Sequence, residues 1–252
     1  MDSILQVKEL CKAFSQGGKQ EFFAVDHVSF ELMSGEVLGI VGESGSGKST
    51  IAKLVSRLMD ATSGSILLHG KDITNVQGKE LRGIYEHIQM VFQTPTGSFD
   101  PRRTLGDGIG ERLRNQKVPA KQIRARVEEL LQQCGLDAEF ADRYPHEVSG
   151  GQCQRAAIAR ALESNPSILI LDEVTSALDV TVQKQILELL QTLQREKGLS
   201  YLFICHNLAL VQQMCDRVLV MYNGRIAEQG TPDQVICSPS TEYTKMLVES
   251  VF

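Results

Sequence analysis

No run of apolar residues in this 252-residue sequence approaches the eighteen or more that a membrane-spanning helix needs, so any membrane contact has to come through a partner protein. The start, Met1-Asp2-Ser3-Ile4, lacks the basic opening and apolar stretch of a secretory signal. Positive charge is in deficit: 26 Lys and Arg against 31 Asp and Glu leave a net charge of −5, with no global basic field to recruit nucleic acid. The six cysteines, at positions 11, 134, 153, 205, 215 and 237, are scattered without a C-x-x-C pair. That spacing argues against a metal knuckle and a disulfide framework, agrees with a reducing compartment, and leaves most of them as small buried apolar residues. Tryptophan is absent, which excludes nothing. Internal repeats, low-complexity tracts and long linkers are missing as well. What remains is the composition of an ordinary globular protein, 42% hydrophobic and 23% charged, long enough for one large α/β domain with a sizeable core.

The hydrophobic pattern predicts strands at the start, over Ile4 to Leu10 and again where Val28, Phe30 and Leu32 alternate with polar residues. Val37-Leu38-Gly39-Ile40-Val41 is a short continuous apolar run, as in a strand buried on both faces, and a helix is expected from Lys48 to about Met59. Ile66–His69 and Ile88–Phe92 read as further strands. From residue 94 to about 165 the character changes to helices and polar loops. Ile123, Val127, Leu130, Leu131 and Cys134 share one helical face before Gly135, and a helix from Ser149 to Glu163 takes Ser149 as its N-cap. Strands return at Ile168–Leu171 and Tyr201–Ile204, separated by a helix carrying Val182, Ile186, Leu189, Leu190 and Leu193. An Asn223-Gly224 turn closes a hairpin between Val218–Tyr222 and Arg225–Glu228. The expected organisation is a single domain over 1–252, with a mostly parallel α/β core (1–93 and 166–252) interrupted by a helical insertion.

Gly42-Glu43-Ser44-Gly45-Ser46-Gly47-Lys48-Ser49-Thr50 matches the P-loop pattern, in which backbone N–H groups and a lysine hold a nucleotide's phosphates and the serine hydroxyl ligates Mg²⁺. A glycine-rich turn with an exposed lysine is the plainer reading. The strand before and the helix after argue against it. Ser149-Gly150-Gly151-Gln152 is a second glycine-rich helix start suited to anions. Asp172 and Glu173 end the apolar strand 168–171, at the sheet edge where α/β proteins bind ligands. Taken alone, that pair reads as an ordinary acidic turn.

Both glycine-rich segments in this order, with Asp-Glu closing the strand downstream, resemble the ATP-binding cassette (ABC) ATPases. The resemblance implies a RecA-like P-loop core, an N-terminal antiparallel β part and an inserted helical subdomain. It also implies ATP with Mg²⁺, the metal being held by Ser49, Asp172 and Gln93. Glu173 corresponds to the residue taken to polarise the attacking water, Gln93 to the mobile Q-loop glutamine, and His206 to the switch histidine at the γ-phosphate. Val174-Thr175-Ser176-Ala177-Leu178-Asp179 resembles the D-loop, with Val174 where the family usually has proline, a departure that bears on the loop's rigidity. Cys205-His206-Asn207 stands in place of the usual Thr-His-Asp, which bears on how the imidazole is held. Phe14 sits where the family stacks an aromatic on adenine; a partly buried loop aromatic is the other reading. Ser149, Gly150, Gly151 and Gln152 would close over the ATP of a second cassette in a head-to-tail dimer. Cys153 would lie near that interface, so that its alkylation is expected to impair closure.

Ile88–Gln93 followed by Ser98-Phe99-Asp100-Pro101-Arg102-Arg103-Thr104, together with Tyr144–Gln152 and the tail Ser238-Pro239-Ser240-Thr241-Glu242-Tyr243-Thr244, is similar to the oligopeptide, dipeptide and nickel importer ATPases. That subfamily implies an ATPase subunit, paired with itself or a sister subunit, on the cytoplasmic face beneath two membrane permeases, with an external substrate-binding protein choosing the cargo. A soluble ABC ATPase of DNA repair or translation, and a P-loop kinase or nucleotide-gated module, are the competing readings. The first calls for a coiled-coil insertion or a second cassette, and the last leaves the SGGQ segment unexplained.

Overall fold

The computed structural model describes residues 2–15 and 22–250. In chain order the strands are β1 (Ser3–Phe14), β2 (Phe22–Met33), β3 (Val37–Val41), β4 (Ser63–Leu68), β5 (Lys71–Asp72), β6 (Ile88–Val91), β7 (Ile168–Asp172), β8 (Ser200–Ile204), β9 (Arg217–Tyr222) and β10 (Arg225–Gly230). The helices are α1 (Lys48–Val55), α2 (Gly78–His87), α3 (Leu105–Ile109), α4 (Glu111–Asn115), α5 (Ala120–Gln133), α6 (Gly150–Leu162), α7 (Val180–Lys197), α8 (Leu208–Met214), α9 (Pro232–Cys237) and α10 (Glu242–Glu249).

Two sheets organise the chain. One is antiparallel in the order β2-β1-β4-β5, and the other runs β10-β9-β3-β8-β7-β6 with parallel pairing from β9 to β6. Every residue of β3, β7 and β8 is buried. This is why their sequences are continuous apolar runs rather than alternations. Alternate side chains still go to opposite faces. Val37, Val41, Leu169, Leu171, Tyr201 and Phe203 face a core shared with α5, α6 and α7, whereas Leu38, Ile40, Ile168, Ile170, Leu202 and Ile204 face α1 and the antiparallel sheet. The hydroxyl of Tyr201, buried in the first core, donates to the Leu190 carbonyl at 2.9 Å, so the aromatic brings no orphaned polar group inside.

The segment between β6 and β7 carries α3 to α6 and packs its apolar stripe into the first core through Leu105, Ile109, Val127, Leu130, Leu131 and Ile158. Thr104 caps α3 by accepting the Asp107 N–H, and Ser149 caps α6 in a reciprocal box with Gln152. Arg112 of α4 ties this layer to its surroundings, donating to Glu163 at 2.6 Å and to Glu86 of α2 at 3.1 Å. The Asn223-Gly224 hairpin forms as expected, with both residues at positive φ, 46° and 78°.

The helix expected to reach Met59 stops at Val55, because Arg57 turns into the left-handed region (φ 57°) and leaves Leu58 exposed. Helix α2 has no counterpart in the sequence reading. Ile84 is its one fully buried residue, with Leu81 partly covered beside it, so its apolar stripe is real but short.

Phe99 shows how tightly the helical layer is fitted: its ring is buried, Arg160 lies 5.6 Å above it, and a Cβ on Gly108 would come within 2.5 Å of the ring. Phe99→Ala is expected to lower the unfolding free energy by about 3–5 kcal/mol, read from urea denaturation.

Candidate active site

The site starts where β3 runs out. Gly42 and Gly47 hold φ values of 144° and 106°, and a Cβ there would sit 2.2 Å from the Met221 carbonyl oxygen and 2.3 Å from that of Ala24. Only glycine lets the loop pass between β9 and β2 so closely. Gly45, also at positive φ, faces open space within 4 Å of where its Cβ would lie. Ser44 and Gly45 form the exposed rim of the loop, Thr50 is half-buried on α1, and the Ser46 carbonyl is pinned by the Gly224 N–H at 3.1 Å.

Lys48 is buried, and its ammonium donates to the carbonyls of Gly42 and Glu43, both at 2.7 Å, and to Ser46 Oγ at 3.4 Å. Burial lowers its pKa, while the charges of Glu173 and Asp172 act in the opposite direction. The Ser49 hydroxyl donates to Asp172 Oδ1 at 3.1 Å. Burial raises the pKa of Asp172, with the Ser49 hydrogen bond working against that shift.

Glu173 leaves β7 with φ 50°, uncommon for a residue with a side chain, and its N–H donates to the Ile204 carbonyl at 3.0 Å. The turn aims its carboxylate sideways. Gln93 Nε2 donates to Glu173 Oε2 at 3.0 Å and to Ser176 Oγ at 3.1 Å, and His206 Nδ1 lies 3.7 Å from Glu173 Oε1. These groups converge because β6, β7 and β8 are parallel neighbours, so their C-terminal ends share one edge. A cleft of about 190 Å³ opens there between Glu173, Ser176 and His206.

The departures from the family pattern now have local explanations. Val174 is buried in the core beneath the loop, and Gln183 Nε2 donates to Thr175 Oγ1 at 3.1 Å, so the turn is held without proline. Asn207 does not hold the imidazole. Its Oδ1 caps α8 by accepting the N–H groups of Ala209 and Leu210.

Ser149, Gly150 and Gln152 lie at the start of α6 on the surface, while Gly151 abuts Val182 of α7, where a Cβ would come within 2.4 Å. Among the described residues no hydrogen bond joins this segment to Gly42–Thr50. Cys153 overturns an expectation: it is fully buried in the core, because one further step round the helix turns the side chain inward. Phe14 ends β1 at 40% exposure with Lys12 Nζ 5.4 Å from its ring centroid; the residues that follow, 16–21, lie outside the described ones.

Tyr243 is a contact the motifs did not point to. Its hydroxyl oxygen accepts the Glu43 N–H at 3.1 Å and Lys48 donates to the Glu43 carbonyl, so both backbone polar groups of Glu43 are engaged. The tail around it carried only a family resemblance, and two hundred residues separate the partners.

A glycine-rich turn between a buried parallel strand and a helix, with a buried lysine at the helix start and an Asp at the neighbouring strand end, defines a P-loop nucleotide-binding protein. The family comparison narrows this. The model of the ABC transporter family matches residues 25–176, and the chain belongs to that family as an ATP-hydrolysing cassette. It is 46% identical over 258 residues to the oligopeptide transport ATP-binding protein OppF of Salmonella typhimurium, covering 98% of this chain and 77% of that protein. It is 45% identical to the glutathione import ATP-binding protein GsiA of Shigella dysenteriae, covering 99% of this chain and 41% of GsiA. Among solved structures, CbiO1 of Clostridium perfringens, part of the ABC transporter complex CbiONQ, superposes with a TM-score of 0.83 at 32% identity over 94% of this chain and 92% of its own. The cassette MJ0796, in a dimeric post-hydrolysis state bound to ADP and Pi, gives 0.82 at 28% identity over 90% and 98%. The ABC ATPase fold expected from the sequence is therefore the one observed.

Burial raises the Cys153 pKa to about 11, whereas Cys237 is exposed. A thiol titration of the native chain should modify Cys237 rapidly and Cys153 only after unfolding; rapid labelling of Cys153 would contradict its placement.

Proposed function

We propose that this chain is the ATPase subunit of an importer for peptides or related chelates, working at the cytoplasmic face of a membrane. The observation that carries the catalytic part is the convergence of Glu173, Gln93 and His206 beside the Ser49–Asp172 pair at one edge of the parallel sheet. Identity to OppF along nearly the whole chain supports the peptide cargo, and a nickel chelate is the alternative.

In this reading Lys48 exchanges the carbonyls of Gly42 and Glu43 for phosphate oxygens, and the N–H groups of the glycine-rich turn and the start of α1, apart from that of Ser46, which is bonded to the Glu43 carbonyl, complete the cradle. The hydroxyl of Ser49 and the carboxylate of Asp172, 3.1 Å apart, are hard oxygen donors suited to Mg²⁺, and the Gln93 amide oxygen would complete the set. The ion, when bound, neutralises charge on the phosphates. Glu173 orients the attacking water and takes its proton, and His206 contacts the γ-phosphate from the end of β8. Phe14 offers a flat face to adenine.

Ser149, Gly150, Gly151 and Gln152 make no hydrogen bond to this chain's own P-loop among the described residues. They serve the triphosphate of a second cassette, identical or a sister subunit, in a head-to-tail pair. Because no helix among the described residues is long and apolar enough to cross a membrane, two permease subunits supply the membrane path, and an external binding protein selects the cargo. Nucleic acid is not a partner in this reading. The repair-type alternative is disfavoured by α5, at 14 residues the longest helix between β6 and β7 and too short for a coiled-coil arm.

Glu173→Gln is expected to retain ATP binding, lower turnover at least about a hundredfold and trap an ATP-bound dimer on gel filtration. Brisk phosphate release by that variant would remove Glu173 from its role. Lys48→Ala is expected to lose nucleotide affinity in a direct titration, and retained tight binding would count against the cradle.

A further inference from the structure

The tail Ser238–Thr244 has no task in the catalytic reading, yet it is fastened with unusual care. The Glu228 carboxylate on β10 accepts the N–H groups of Ser240 and Thr241 at 2.9 and 3.1 Å and the Thr241 hydroxyl at 3.2 Å. Partial burial opposes the charge on Glu228, but the donors from Ser240, Thr244 and Thr241 outweigh it and hold the carboxyl down at about 2, so the latch is charged throughout the physiological range. Thr241 in turn caps α10, accepting the Thr244 N–H at 3.2 Å. The first turn of α10 is thereby fixed where Tyr243 packs on Tyr222, ring centroids 4.1 Å apart, and meets the Glu43 N–H.

That contact falls at a sensitive place. Glu43 lies between Gly42 and the turn through Gly45, both at positive φ, where the backbone has the most freedom to lose. Its carbonyl is held by the phosphate-binding lysine and its N–H by the C-terminal helix. We propose that Tyr243 is a positioning residue for nucleotide binding: through the Glu43 N–H it pre-sets the entry of the P-loop, and the Glu228 latch holds Tyr243 in place to do so. Ordering the loop in advance removes part of the entropy that phosphate binding would otherwise have to supply.

The inference rests on the reading of Gly42–Thr50 as the phosphate cradle, and the test separates the two. Titration calorimetry of the full chain with ADP and Mg²⁺ compares wild type, Tyr243→Phe, Glu228→Gln, the double variant and Lys48→Ala. Tyr243→Phe keeps the ring on Tyr222 and removes only the acceptor. It is expected to weaken binding about fivefold, the size of one neutral hydrogen bond, with an unchanged melting temperature and faster amide exchange in residues 42–47. Glu228→Gln is expected to weaken binding in the Tyr243 background and to have no further effect beside Tyr243→Phe. Wild-type affinity in Tyr243→Phe, an affinity loss that tracks a lowered melting temperature, or equal effects of Glu228→Gln in both backgrounds would overturn the inference and leave the cradle standing. Equal binding by Lys48→Ala and wild type would overturn both.

Discussion

A buried ammonium is the constraint around which this protein is arranged. Taking the charge of Lys48 out of water is costly unless it is hydrogen-bonded and faced by opposite charge. Both conditions are met: two loop carbonyls lie at 2.7 Å, and the carboxylates of Asp172 and Glu173 oppose the shift that burial imposes. Meeting them requires a loop that wraps its own carbonyls around the lysine while passing within van der Waals limits of β2 and β9, which is why Gly42 and Gly47 cannot carry side chains. It also requires β7 to end beside β3's loop, and the parallel order β3-β8-β7 provides that. The lysine thus waits among weak neutral acceptors that an anion can replace.

The second group of polar residues is held differently. Glu173, Gln93, Ser176 and His206 are more exposed and bonded mainly to one another, across loops that leave three adjacent strands. Rigid strands set where these loops begin, and the left-handed turn at Glu173 sets where its carboxylate points. One neutral amide, Gln93, bridges the strand that leads into the helical layer and the carboxylate at the centre of the cleft. That bridge is what supports the proposal that Gln93 couples the helical layer to the cleft.

The two departures from the family pattern turn out to be absorbed locally. Val174 contributes apolar volume below the loop, and Asn207 gives its side chain to the start of α8. Neither side chain takes part in the hydrogen bonds that position Glu173, which involve Gln93 and the Ile204 carbonyl. The C-terminal helix, by contrast, has direct access to the glycine-rich loop through Tyr243, so α10 and the turn before α1 form one hydrogen-bonded unit.

The amino-acid sequence by itself determined whatever depends on a few neighbouring residues. The buried runs 37–41 and 168–171, the glycine-rich turn before α1, the Ser149 cap with Gln152 three residues on, and the Asn223-Gly224 hairpin all follow from local periodicity and turn chemistry. The ABC resemblance was legible for the same reason, since its motifs are short and lie at strand ends and helix starts. Tertiary structure decided the rest. Cys153 points inward because α6 is enclosed on most sides by α3, α5, α7 and β6, α1 ends early because Arg57 takes a left-handed conformation, and α2 has an apolar stripe of only Leu81 and Ile84 against the core. The bond from Glu43 to Tyr243 spans 200 positions and exists only because β9, β10 and α10 are stacked against the loop. Local patterns encode what each segment wants to be, but which segments meet is set by the burial of whole faces, a property no short window contains.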